Sequence, residues 1–110
     1  MNNELLDRIF VAVSRLRSAE LLLMSRGNSE DAESLRKTRK LLSRAGDRII
    51  ASGMETASAA AEKAADDLLQ VNSHLQAYLS VKQKADERLR QALEALPAIL
   101  GLLAALDEKP

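Results

Sequence analysis

Cysteine and tryptophan are absent, and Phe10 and Tyr78 are the only aromatic residues in 110. Without cysteine there is no disulfide scaffold and no thiolate metal site, a composition that fits a reducing cytoplasm. With so few aromatic and β-branched apolar residues, a β-sandwich or barrel lacks its usual filling, and four Gly and two Pro are too few for its turns. No run of 18 apolar residues occurs, so no membrane span is expected. The start, Met1-Asn2-Asn3-Glu4, lacks the basic region and cleavage pattern of a signal peptide.

What is abundant is alanine and leucine, 18 and 20 residues, within a hydrophobic fraction of 46%. A chain this apolar is not a disordered tail. It reads as one domain over residues 1–110, all-α, an antiparallel bundle of three to four helices.

The first helix is expected over residues 3–25. Leu6, Ile9, Val13, Leu16 and Leu23 recur at spacings of three, four and seven, with Phe10, Ala19 and Met24 widening the stripe. The run Leu21-Leu22-Leu23-Met24 is apolar on nearly every side, which suggests an end sandwiched between neighbours. Gly27 suits the left-handed position after a helix. Asn28 or Ser29 can cap a second helix over residues 30–51, whose first turn carries Glu30, Asp31 and Glu33. The short connection makes the two helices antiparallel neighbours. Gly46 inside the second helix costs about 1 kcal/mol relative to Ala, which close approach of another helix would explain.

Between Met54 and Leu96 there is neither Gly nor Pro. The simplest expectation is one long, coiled-coil-like third helix over residues 54–96, with a break near Lys82–Asp86 as the alternative. Its seam is Ala57, Ala61, Ala64, Leu68, Val71, Leu75, Tyr78, Ala85, Leu89, Ala92 and Leu96, alanine-rich first, where a neighbouring backbone can come close, and leucine-rich later. Pro97 would stop or kink it and open a short apolar helix over 98–106. Such a long helix overhangs two shorter ones. The apolar overhang and tail, Leu89, Leu93, Leu96, Ile99, Leu103 and Leu106, are therefore the expected interface with a protein partner or with a second copy in a homodimer.

Net charge is zero but unevenly spread. Residues 1–28 hold four basic and three acidic side chains, residues 29–53 six and four, and residues 54–110 six and nine. The most suggestive polar feature is a stripe on the second helix, Arg36, Lys40, Arg44 and Arg48, bordered by Lys37 and Arg39. Basic residues four apart can follow phosphates. Interleaved aromatics for base stacking are missing, so nucleic-acid binding through this stripe is the second reading.

Chemistry-bearing constellations are sparse. His74 is the only histidine, so a pair of Glu-x-x-His motifs on two helices cannot be built. A lone histidine in a small helical chain resembles the helical phosphotransfer domains in length and class. That family wants Lys and then Gly after the histidine, whereas Leu75-Gln76-Ala77-Tyr78 follow here. His74 then reads as a residue flanking the seam. The glycines are isolated and form no phosphate loop, and no Ser-His-Asp set can be placed. The expected function is a small non-enzymatic helical interaction protein, needing no cofactor and acting in the cytoplasm as an adaptor, chaperone-like factor, inhibitor or assembly subunit.

Overall fold

The computed structural model describes residues 4–52, 59–80 and 85–107. They form four helices, α1 (Glu4–Ser25), α2 (Ser29–Ser52), α3 (Ala59–Ser80) and α4 (Ala85–Asp107), in a bundle of 45 × 20 × 19 Å. The all-helical expectation holds.

The first hairpin follows its local chemistry. Gly27 takes φ +78°, and the turn closes as a Schellman motif. Asn28 N–H donates to the Leu23 carbonyl at 2.9 Å and Gly27 N–H to the Met24 carbonyl at 3.1 Å. Asn28 then caps α2, its carbonyl accepting from Ala32 N–H at 3.2 Å while its amide donates to Asp31 Oδ2 at 2.8 Å. Gly46 lets α1 come close. A Cβ there would lie 3.0 Å from Phe10 Cζ and 3.1 Å from Ile9 Cγ2.

The single helix over 54–96 is corrected. Its chain forms two helices, α3 and α4, packed side by side, with Arg88 Nη1 3.2 Å from His74 Nδ1. Residues 53–58 and 81–84 lie outside the described residues, so the start at Met54, Ala57 and the run Lys82-Gln83-Lys84 are not described. The seam is buried where its side chains are described. Ala61, Ala64, Leu68, Val71, Leu75 and Tyr78 are buried on α3, and Leu89, Ala92 and Leu96 on α4.

The short helix over 98–106 is corrected too, because α4 runs through Pro97 to Asp107. Pro97 is exposed between buried Leu96 and Ile99. Its ring and missing N–H lie on the outward side, while burial of the flanking residues holds both halves of the helix.

The two hairpins stack side by side. Arg8 Nη1 donates to the Ala65 carbonyl at 2.9 Å and Arg15 Nη1 to the Asn72 carbonyl at 2.8 Å, both pairs 57 residues apart, so α1 and α3 run parallel. Asn72 Nδ2 returns a bond of 3.1 Å to the Arg8 carbonyl. Alanines at 12, 19, 61, 64 and 65 are buried, and they bring the two backbones within reach of these side chains. Around the bundle the order is α1, α2, α4, α3. Among the described residues α1 and α4, like α2 and α3, sit across diagonals, without the close backbone approach that neighbours make. The α2–α4 boundary is the sparsest of the four. It opens as a groove lined by Asp31 and Leu35 with Asp86 and Leu89 at one end, and by Ile49 with Leu103 at the other.

Candidate functional site

The leucines of α4 are not a free surface. Leu96 and Ile99 are fully buried, Leu89 and Leu103 nearly so, and Leu93 is half-buried against the core. The side chain of Leu106 lies outside the described residues. The expected overhang disappears because the helices match in length, from 22 to 24 residues. Beyond the exposed charges Asp86, Glu87, Arg88, Arg90 and Glu94, what α4 shows outward is small: Pro97, Ala98, Gly101, Ala104 and Ala105 are exposed.

The basic stripe exists but divides. An i, i+4 spacing advances about 40° around a helix at each step. Arg36 and Lys40 therefore line the groove between α1 and α2, whereas Arg44 and Arg48 line the slot between α2 and α4. Arg36 is 3.5 Å from Glu33 on its own helix. Arg39, which borders the stripe in sequence, turns inward. Its Nε donates to Glu20 Oε2 at 2.9 Å, and the two side chains are 15% and 12% exposed. It belongs to the α1–α2 interface rather than to a phosphate-following face.

The largest exposed apolar side chains at the turn end of the first hairpin are Leu21 and Met24, 56% and 57% exposed. They correct the expectation of a sandwiched helix end, since in Leu21-Leu22-Leu23-Met24 only Leu23 is buried and Leu22 half-buried. Arg17, Leu21 and Met24 fall at i, i+4 and i+7, one face of α1. They line an open groove of about 610 Å³ shared with Ala32, Arg36 and Lys40 of α2. Sequence reasoning missed this pair because it counted the apolar run as core. Their offset from the seam of Leu16, Ala19 and Leu23, and their shared face with Arg17, was the available signal.

A second, smaller slot of about 180 Å³ lies between α2 and α4, floored by Ile49, Leu100 and Leu103 with Leu41, Arg44 and Arg48 at its rim. Leu41 is 52% exposed.

Polar atoms inside the bundle are few. Among the described residues Asn72 Oδ1, Tyr78 Oη and Gln91 Oε1 are buried and meet no hydrogen-bond partner. Burial pushes the Tyr78 hydroxyl above its ordinary value, with Arg26 opposing and Asp86 and Asp31 adding to the rise. His74 is half-buried beside Arg88, as a seam-flanking residue would be. Among the described residues no three His, Cys, Asp or Glu side chains gather into a metal-holding group, and no helix is long and apolar enough to cross a membrane. Comparison with family models, with curated proteins and with solved structures finds no match to this chain.

Proposed function

We propose that this chain is a small non-enzymatic interaction protein of the cytoplasm that docks a helical partner on the outer face of α1 and α2. One observation carries the reading: Leu21 and Met24 stand more than half exposed on the wall of an open groove. Exposed apolar residues scattered singly need no explanation, but a pair on one helix face at the edge of a groove offers the anchors that helix-in-groove recognition uses. The interface is thereby moved from the leucines of α4 to the first hairpin.

The test is site-specific photo-crosslinking in the source cell. A benzophenone side chain at position 24 is expected to give discrete protein adducts, while the same group at exposed Ala98 of α4 gives none. Adducts from position 98 and none from position 24 would overturn the reading.

A further inference from the structure

We infer that the partner segment docked in the α1–α2 groove is acidic: an amphipathic helix carrying apolar anchors on one side and carboxylates beside them. This rests on the groove-docking reading above and names the chemistry of its partner. The groove is lined by Arg17, Arg36, Arg39 and Lys40 against Glu20 and Glu33. Both carboxylates are already engaged, Glu20 by Arg39 at 2.9 Å and Glu33 by Arg36 at 3.5 Å. Arg17 and Lys40 remain, one on each helix, and among the described residues no carboxylate pairs with either. Two unpaired cations, one on each wall of the groove, therefore sit beside the apolar pair at its Leu21 end, since the Glu20–Arg39 contact sets Lys40 level with the turn of α1 before Leu21.

The spacing suits one helix. Arg17 to Met24 spans seven residues of α1, about 10 Å of rise or two turns, and Arg36 to Lys40 about 6 Å of α2. A docked helix with apolar residues at i, i+3 or i+4 and i+7 can meet Leu21 and Met24, while a carboxylate on each flank faces Arg17 and Lys40. Such pairing steers encounter and rejects basic partners more than it adds affinity. The other large groove is a poorer match. At the turn end of the α2–α4 boundary, Asp31 and Asp86 outnumber Arg90, so an acidic segment is repelled there.

The probe is a synthetic helical peptide of about four turns with leucine at the anchor positions and glutamate elsewhere, beside a counterpart with lysine for every glutamate. Binding to the full chain is read by fluorescence anisotropy. The acidic peptide is expected to bind and the basic one not, with affinity falling as salt screens the exposed charges. Arg17→Glu and Lys40→Glu, both at exposed positions, should each weaken binding about threefold or more at low salt and flatten its salt dependence, and Met24→Gln should weaken it at all salt concentrations. Unchanged circular dichroism shows that each variant is folded.

Binding of the basic peptide alone, lost in Met24→Gln, overturns the acidic partner and leaves groove docking standing. Binding of neither peptide overturns both. Acidic-peptide binding indifferent to all three substitutions places it elsewhere and overturns the inference. So does a DNA duplex that binds more tightly than the peptide and is lost in Lys40→Glu, which restores the phosphate reading. A concentration-dependent dimer abolished by Met24→Gln also overturns it, since the occupant is then a second copy.

Discussion

Arg39 on α2 donates from Nε to Glu20 Oε2 on α1 across 2.9 Å, with both side chains mostly shielded from water. It is a polar clasp between the first two helices that reaches inward, beside the buried Ile9 and Leu16 of α1 and Leu35 and Leu42 of α2. Removing one partner leaves the other charge shielded and unpaired. Glu20→Ala is expected to cost about 1–3 kcal/mol, less than for a fully buried pair because some water still reaches both groups. Replacing both residues with leucine should recover most of that loss. Urea denaturation of the two variants checks it.

Gly27 tests the turn. Its φ of +78° lies in the left-handed region, and nothing stands within 4 Å of a Cβ placed there. Substitution therefore meets backbone strain alone. Gly27→Ala should lose about 1 kcal/mol, and Gly27→Asn less, because asparagine tolerates this conformation better. Equal losses in thermal melts would contradict the assignment.

Pro97 tests the continuity of α4. A proline inside a helix removes one backbone hydrogen bond and crowds the carbonyl four residues earlier. At this exposed position, Pro97→Ala should raise stability by about 1–3 kcal/mol. No gain in the unfolding midpoint would mean that the helix does not run through residue 97.

Tyr78 gives the alkaline behaviour. Its hydroxyl is buried and has no partner among the described residues, and burial raises its pKa above the ordinary 10.0. The folded chain thus holds the phenolic proton more tightly than the unfolded chain does. The associated stability is present below about pH 10 and is lost as pH rises through the folded-state value. Tyr78→Phe should match the parent within about 0.5 kcal/mol at neutral pH, because no hydrogen bond is broken. It should also lose less stability between pH 8 and 11 in paired urea titrations.

The first hairpin was legible because its sequence is punctuated. Gly27 and the acidic turn after it place the boundary, and α1 ends at Ser25 while α2 spans Ser29–Ser52, each within a residue of expectation; the expected start at Asn3 lies outside the described residues. The second hairpin was legible only as the alternative of a break near Lys82–Asp86, because neither Gly nor Pro marks its turn and the apolar spacing continues through Lys82 by one step of seven. Pro97 misled in the opposite sense. Local chemistry asks for a stop there, while burial of Leu96 and Ile99 on either side carries the helix on. The candidate surface was hidden for a related reason. Leu21 and Met24 are as apolar as Leu96 and Leu103, and composition alone does not say which side of a helix meets a neighbour.

That distinction between α1 and α4 is tested most directly by urea denaturation of Leu21→Gln beside Leu96→Gln. The same chemical change is made at a side chain 56% exposed and at one fully buried. Leu21→Gln should stay within about 0.5 kcal/mol of the parent. Leu96→Gln should lose about 3 kcal/mol or more, through a lost core contact and a buried amide without partners. Equal losses, or a stable Leu96→Gln beside an unfolded Leu21→Gln, would return the α4 leucines to the surface and contradict the account.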